Sequence, residues 1–142
     1  MPLVRISLQS GKPDSYRATI GDQVYEAMRE TLHIPDGDRF QIITEHSASA
    51  LIADPSFMGM QRSADFVVIQ IFLSRGRTTD TKQSLYRRIS ERLASSPGVR
   101  PDDIFILLTE VGLDDWSFGR GEAQYVLNPP KWAKQAEAKV PA

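Results

Sequence analysis

The sequence of 142 residues contains no cysteine. A disulfide framework, a thiolate metal site and a thiol nucleophile are therefore excluded, and the composition suits a reducing cytoplasm. The sequence also lacks a basic excess, because 17 Lys and Arg residues face 18 Asp and Glu residues and leave a formal net charge of -1. This balance provides no net attraction for a polyanion, so nucleic-acid binding is disfavoured.

Long hydrophobic runs are absent as well. The longest, from Phe66 to Leu73, is too short to cross a bilayer, and the N-terminus has no basic segment followed by an apolar signal core. These absences predict a cytoplasmic protein with no membrane partner. The 41% of hydrophobic residues that are present suffice for the core of one domain. We expect residues 1–127 to form that domain and residues 128–142, rich in Pro, Lys and Ala, to form a flexible tail.

The chain repeats itself without gaps at an offset of 65 residues. Leu3 to Leu8 aligns with Val68 to Leu73, and each half contains the same series of patterns. A strand rich in branched apolar residues is followed by a turn with glycine, a helix with one apolar face and a second strand. A shared period of this kind indicates a duplicated unit. The two halves, about residues 2–50 and 67–115, are therefore predicted to be two βαβ units.

Two such units predict an α/β (α+β) fold with a four-stranded mixed sheet. The strand pairs within each unit are parallel, and right-handed crossovers place both helices on one face. A pseudo-two-fold axis relates the units. The strand from Phe66 to Leu73 is apolar on both sides, which implies that both faces of the sheet are covered. Because the chain has no second helical layer, we expect further copies of the chain to cover the open face.

A polar residue that occurs in only one half of a duplicated scaffold is a candidate for function. Pro2 aligns with Val67, whereas Arg75 and Arg77 align with a serine and a lysine. If the opening strands of the two units lie antiparallel and adjacent, the end of the third strand meets the start of the first. Arg75 and Arg77 then lie beside Pro2. Asp38, which precedes the second strand, approaches the same edge of the sheet.

Pro2 has catalytic potential if Met1 is removed, which the small second residue favours, because the product is a secondary amine. Such an amine has an ordinary pKa of about 8 and can act as a base, an acid or an imine-forming nucleophile. The alternative is a purely structural role, since proline suits the first residue of a strand.

The segment Arg75-Gly76-Arg77 places two guanidinium groups around a flexible joint, so both can turn towards one carboxylate. The alternative is a solvated basic turn before a helix. Asp38, in the segment Pro35-Asp36-Gly37-Asp38, is either an acid/base partner or only a turn residue. His33 and His46 are the only histidines and have no metal-ligand spacing, so we expect no metal site.

These residues resemble the tautomerase superfamily, whose members consist of two βαβ units and use an amino-terminal proline. Within the superfamily the likeness is greatest to the malonate semialdehyde decarboxylase family. The resemblance runs from Pro2 to about Leu127. It rests on Pro2 itself and on the segments Asp38-Arg39-Phe40-Gln41-Ile42, Ser74-Arg75-Gly76-Arg77-Thr78 and Asp115-Trp116-Ser117-Phe118-Gly119.

The resemblance implies a homotrimer that needs no metal or organic cofactor. It also implies a role for each matching residue. Pro2 would be the catalytic amine, Asp38 its acid/base partner, Arg75 and Arg77 a clamp for the carboxylate of a small substrate, and Trp116, Phe118 and Tyr125 an apolar wall.

With these roles, we expect decarboxylation of a small 3-oxo acid such as malonate semialdehyde. A cationic Pro2 would accept the electrons of the breaking bond through a hydrogen bond to the carbonyl oxygen or through an iminium. Two enzymatic alternatives remain, namely keto-enol tautomerisation of a 2-oxo acid such as phenylpyruvate by a neutral Pro2, and hydration of an unsaturated acid. A third alternative is a non-catalytic oligomeric binding protein.

Overall fold

The computed structural model of the chain describes residues 2–133. Its main elements follow one another as strand, helix and strand in each half, which confirms the two predicted βαβ units. The elements are β1 (Leu3–Gln9), α1 (Asp14–Leu32), β2 (Phe40–His46), β3 (Val67–Ser74), α2 (Thr79–Ser95), β4 (Ile104–Val111) and α3 (Gln124–Leu127), with 3₁₀ turns at Phe57–Gly59, Pro101–Asp103 and Leu113–Asp115.

The four strands form one sheet in the order β2-β1-β3-β4. β1 is parallel to β2 and β3 is parallel to β4, whereas β1 and β3 run antiparallel where the two units meet. Arg5 and Gln70 occupy equivalent positions of the sequence repeat, and they also pair with each other in the sheet. Equivalent residues that pair must flank the symmetry axis. The predicted pseudo-two-fold arrangement is therefore confirmed, and its axis passes between Arg5 and Gln70.

The core lies between the sheet and the two long helices, which pack on the same face. Inward-facing side chains alternate along the strands, as in Val4, Ile6 and Leu8 of β1, none of which is more than 3% exposed. On the helices, the buried residues recur at the spacing of one apolar face, as the sequence predicts. They are Ile20, Val24, Ala27 and Met28 on α1 and Leu85, Ile89 and Leu93 on α2.

Helix α2 begins just after the segment that contains the two candidate arginines. Thr78 is its N-cap, and the Thr78 hydroxyl oxygen accepts a hydrogen bond from the Thr81 N–H at 3.2 Å. Gly76 has a φ of 124°, a backbone conformation that side chains disfavour. The cap and the glycine together fix a short turn between β3 and α2, and this turn presents Arg75 and Arg77.

The opposite face of the sheet carries no helix within residues 2–133, and it exposes large apolar side chains. Phe40, Ile42, Phe105 and Leu107 are 50%, 46%, 42% and 49% exposed. This is the open face that the pattern of strand 66–73 led us to expect. No helix among the described residues is long and apolar enough to pass through a bilayer.

The end of segment 128–133 packs on the domain, although the composition of the segment predicts a tail. Ala133 is only 5% exposed, and the ring centroid of Trp132 lies 6.2 Å from that of Tyr125. The remainder of the expected tail, residues 134–142, lies outside the described residues. The domain boundary at residue 127 stays a prediction.

Candidate active site

Pro2 stands immediately before β1 and is buried. Its neighbour Leu3 pairs with Phe40, the first residue of β2, and with Phe72, near the end of β3. Pro2 therefore lies at the edge of the sheet where β2 begins and β3 ends. This is the edge to which the symmetry of the repeat assigns it.

Asp38 lies in the turn that leads into β2, and it is half-buried. Its N–H donates to the carbonyl oxygen of Pro35 at 3.2 Å. The turn is tied to helix α1, because the Gly37 N–H donates to the Tyr25 hydroxyl at 3.2 Å. These bonds hold Asp38 just ahead of the first residue of β2, beside the strand that Pro2 opens.

Arg77 follows β3 and is also half-buried. Its Nη1 donates to the carbonyl oxygen of Ser74 at 2.8 Å. Burial lowers the pKa of Arg77, whereas the charges of Glu110, Tyr125 and Asp38 act in the opposite direction. Because arginine remains a cation at neutral pH, the turn after β3 holds a partly desolvated positive charge. The Asp38 carboxylate is close enough to influence it.

Arg75 has surroundings different from those of Arg77. Its N–H donates to the carbonyl oxygen of Val111 at 3.0 Å, which ties the turn after β3 to the end of β4. Its side chain is exposed, and its Nη1 lies 3.8 Å from the position that a Cβ on Gly112 would take. The structure thus anchors Arg77 at Ser74 and leaves Arg75 beside the loop that follows β4.

An aromatic row, formed by Trp116, Phe118, Tyr125 and Trp132, borders this region. The rings of Trp116 and Phe118 stack with centroids 5.5 Å apart. Tyr125 meets Phe118 edge-on at 4.8 Å and Trp132 edge-on at 6.2 Å. Burial raises the pKa of the Tyr125 hydroxyl, and the nearby Asp38 charge acts in the same direction. The structure therefore brings together the three aromatic residues that the resemblance assigns to an apolar wall, and it adds Trp132.

Ser74 connects the aromatic row to the arginine turn. Only 2% of Ser74 is exposed, and its hydroxyl oxygen accepts a hydrogen bond from Trp116 Nε1 at 3.0 Å. Its carbonyl oxygen accepts the bond from Arg77 described above. One buried residue thus orients both an aromatic and a cationic side chain. The sequence reasoning did not single out Ser74, although it belongs to the segment Ser74-Arg75-Gly76-Arg77-Thr78 that carries the resemblance.

Gln124 was also missed by the sequence reasoning. Its Oε1 accepts a hydrogen bond from the Phe118 N–H at 2.9 Å, and its Nε2 donates to the carbonyl oxygen of Gly119 at 2.7 Å. These two bonds close the loop that carries Phe118. Nothing in the sequence pattern indicates them, whereas Trp132 has a recognisable signal as a large aromatic residue in a segment rich in Pro, Lys and Ala.

The counterpart of Asp38 in the second unit has a different environment. This counterpart is Asp103, which is fully buried. Its carboxylate accepts hydrogen bonds from the Ser63 N–H at 2.6 Å and from the Ser63 hydroxyl at 2.7 Å. The chain itself, in the residues just before β3, therefore satisfies the acid of the second unit.

The counterpart of Arg77 in the sequence repeat is Lys12, which follows β1 in the first unit and lies at the end of the sheet where β3 begins. Its Nζ lies 3.0 Å from Oδ1 of Asp65, another residue just before β3. Residues just before β3 therefore pair with both Asp103 and Lys12 at this end of the sheet.

Two βαβ units with a proline at the start of the first strand define a class of enzymes, and comparison with known proteins identifies it. Two family models, both described as tautomerase enzyme, match residues 38–119 and 2–61. The probable tautomerase YusQ of Bacillus subtilis (strain 168) is 36% identical over 126 residues, which cover 89% of this chain and 99% of the relative. The chain belongs to the tautomerase superfamily.

Solved structures give a finer comparison. FG41 malonate semialdehyde decarboxylase inhibited by 3-bromopropiolate is 45% identical with a TM-score of 0.85, covering 91% of this chain and 98% of that chain. A second malonate semialdehyde decarboxylase, described with decarboxylase and hydratase activities, is 27% identical with a TM-score of 0.84, covering 90% and 98%. A fused 4-OT symmetric trimer is 17% identical with a TM-score of 0.74, covering 89% and 98%, and shares the fold.

Proposed function

We propose that the protein is a cofactor-independent decarboxylase of a small 3-oxo acid such as malonate semialdehyde. The observation that carries the proposal is the position of Pro2, which is buried at the sheet edge where the Asp38 turn and the Arg77 turn meet. The 45% identity to a malonate semialdehyde decarboxylase over nearly the whole chain supports this reaction class.

The proposal includes removal of Met1, which converts the Pro2 nitrogen into a secondary amine. We place the substrate beside this amine, at the edge of the sheet that Asp38 and Arg77 also border. The Asp38 carboxylate stabilises a proton on the amine and raises its pKa, whereas the two arginines lower it. We favour the cationic amine because of Asp38 and the similarity to the decarboxylases.

The cationic amine supplies the electron sink for the reaction. The bond between the carboxylate carbon and the α-carbon breaks, and its electron pair forms an enolate or an enamine. In one route the carbonyl oxygen accepts a hydrogen bond from the Pro2 ammonium. In the other, the Pro2 amine in its neutral form adds to the carbonyl carbon, and the carbonyl oxygen leaves as water to give a cationic iminium. Protonation of the α-carbon, with hydrolysis in the iminium route, gives acetaldehyde. The carboxylate leaves as carbon dioxide.

Arg75 and Arg77 hold the substrate carboxylate so that the breaking bond lies perpendicular to the carbonyl plane. Binding of the carboxylate does not by itself accelerate the reaction, because the carboxylate loses its charge as carbon dioxide forms. Arginines that bind it equally strongly throughout stabilise the ground state more than the transition state. Trp116 and Phe118 offset this effect, since an apolar wall favours the dispersed charge of the transition state. Acid/base assistance from Pro2 and Asp38 contributes about 10²–10⁴ in rate.

The second candidate function is keto-enol tautomerisation of a 2-oxo acid such as phenylpyruvate. The name of the relative YusQ, a probable tautomerase, favours it. In this case Pro2 is neutral and removes a proton beside the carbonyl. Hydration of an unsaturated acid has support from the hydratase activity in the description of the second decarboxylase structure. The non-enzymatic alternative is an oligomeric binding protein that uses the same pocket.

One experiment separates the decarboxylase from the tautomerase and from a binding protein. Protein whose intact mass confirms the loss of Met1 is incubated with malonate semialdehyde and, separately, with phenylpyruvate, and both reactions are followed by proton NMR. We expect acetaldehyde from the first substrate, and a rate about 10²-fold lower for Arg77→Ala. Arg87→Ala, at an exposed arginine of α2, is the matched control and should keep the full rate. Borohydride distinguishes the two routes, since it traps mass on Pro2 only if an iminium forms.

Two other outcomes of this experiment identify an alternative function. Enol turnover without acetaldehyde identifies a tautomerase. If neither substrate reacts and Pro2→Ala leaves the biological effect of the protein unchanged, the binding protein is the correct description.

We further propose that the open sheet face is buried in a homotrimer. The exposed side chains of Phe40, Ile42, Phe105 and Leu107 support it, and the fused 4-OT protein of the same fold is described as a trimer. Leu107→Asp should shift the sedimentation of the protein towards the 15.9 kDa monomer. Val126→Asp, at a residue that is 54% exposed on α3, is the control. A wild-type monomer at micromolar concentration would refute this assembly.

A further inference from the structure

Trp132 lies beyond both matched family models, the later of which ends at residue 119, and yet it contacts the candidate site. Its ring centroid is 6.0 Å from Cζ of Arg77 and 6.2 Å from the ring centroid of Tyr125. The next residue, Ala133, is 5% exposed, and its N–H donates to the carbonyl oxygen of Pro130 at 3.0 Å. The segment that carries Trp132 is therefore folded against the domain.

Arg77 is consequently held from two directions. Nη1 donates to the carbonyl oxygen of Ser74 at 2.8 Å, and the indole of Trp132 faces the guanidinium. A guanidinium has five N–H donors, so other donors remain for a ligand after the bond to Ser74. A long arginine side chain loses rotamer freedom when it is fixed. Contacts that restrict it before binding reduce that loss at the moment of binding.

We propose that Trp132 is a positioning residue, which holds the Arg77 guanidinium in the orientation that receives the substrate carboxylate. The inference rests on the carboxylate-binding role proposed for Arg77. Trp132 itself is 40% exposed, so it forms the outer boundary of the site and not part of the core. The half-buried state of Arg77 is consistent with such a cover, since a bare arginine at a turn is ordinarily solvated.

The test uses malonate, a dicarboxylate of three carbons, as the probe. Its dissociation constant is measured by calorimetry for the wild type, Trp132→Ala and Trp132→Phe. A cation–π contact at a partly exposed site predicts about 3- to 10-fold weaker binding for Trp132→Ala. Trp132→Phe should restore most of the affinity, because phenylalanine keeps an aromatic face. Lys131→Ala, at the exposed neighbouring residue, is the matched control and should bind as the wild type does.

Two further readouts separate positioning from a general loss of structure. In the decarboxylation assay, Trp132→Ala should raise KM and leave kcat within about 2-fold, the signature of lost uniform binding. In the NMR spectrum, the Arg77 side-chain signals should lose their ring-current shift in Trp132→Ala and retain part of it in Trp132→Phe. Arg77→Ala should abolish malonate binding and remove any further effect of Trp132→Ala.

Unchanged malonate affinity in a folded Trp132→Ala variant would overturn the inference, as would unchanged Arg77 signals. Failure of the wild type to bind malonate overturns it too, because Arg77 then receives no carboxylate. Failure of the proposed reaction gives a different result. In that case malonate binds through Arg77 with the expected dependence on Trp132, and malonate semialdehyde is not consumed.

Discussion

The hydrogen bond between Trp116 and Ser74 provides the sharpest test of how the candidate site is held together. Trp116 Nε1 donates to the Ser74 hydroxyl oxygen at 3.0 Å, and Ser74 is 2% exposed. Ser74→Ala removes the acceptor. A hydrogen bond of this kind contributes about 0.5–1.5 kcal/mol to stability, and a buried donor left without a partner costs about 1–3 kcal/mol. Because Trp116 is only half-buried, water can reach part of the indole, and we expect a loss of about 1 kcal/mol.

A double-mutant cycle isolates this contribution. Trp116→Phe removes the donor and keeps an aromatic ring beside Phe118. In that background, Ser74→Ala should cost less than about 0.5 kcal/mol, so the coupling energy should be about 0.5–1 kcal/mol. The assay is urea unfolding at pH 7, with the free energy of unfolding extrapolated to water. Ser7→Ala is the control, since the Ser7 hydroxyl lies 3.5 Å from the Thr44 hydroxyl and should contribute little.

Additive effects of the two substitutions, within about 0.3 kcal/mol, would refute the reasoning. They would mean that the hydrogen bond does not stabilise the loop after β4. A malonate titration of Ser74→Ala adds a second check. The backbone carbonyl that accepts from Arg77 is unchanged in this variant, so its malonate affinity should fall less than that of Trp132→Ala.

Two further predictions concern the packing and the charges of α1. Gly21→Ala places a Cβ 2.8 Å from Gln41 Oε1 and 3.1 Å from Ile43 Cδ1. Overpacking should cost about 1–3 kcal/mol, which exceeds the gain of about 1 kcal/mol from the higher helix propensity of alanine, so the urea midpoint should fall. The additional substitution Gln41→Ala should relieve this loss of stability. Hydrogen bonds from two arginines of α2 lower the pKa of Glu30 from 4.5 to about 2. The stabilisation by Glu30 is therefore present above pH 4.5 and lost as the pH falls towards 2, so urea midpoints of the wild type and Glu30→Gln should differ at pH 7 and converge in acid.

The fold was predictable from the sequence because its determinants are periodic and local. Residues such as Ile20, Val24 and Leu85 recur at helical spacing and are all buried. The duplication suggested a two-fold relation between the units, and in the antiparallel pair that such an axis produces, the equivalent residues Arg5 and Gln70 lie opposite each other. The sheet edge that carries Pro2 follows from this pairing.

The side-chain contacts of the site were less predictable, because loops without periodicity determine them. Gln124 closes the loop that carries Phe118 through two hydrogen bonds to backbone groups. These bonds depend on how the tertiary structure positions the Gln124 side chain, so the local residue pattern does not predict them. The composition of residues 128–133 predicted a tail, although one aromatic side chain, Trp132, has enough apolar surface to fold the segment onto Tyr125. The different surroundings of Arg75 and Arg77 also depend on tertiary structure, since their spacing alone favours a symmetric pair.

The duplication also explains why a single site can arise from two equivalent units. At the end of the sheet where β3 and β4 begin and β1 ends, residues before β3 supply the polar partners, since Ser63 donates to Asp103 and Asp65 pairs with Lys12. The opposite end of the sheet, where β1 and β2 begin and β3 ends, carries Pro2, and the proposed reaction uses its amine there. A residue left in front of Pro2 converts that amine into an amide, so protein whose intact mass includes Met1 should form no acetaldehyde if the proposed reaction is correct.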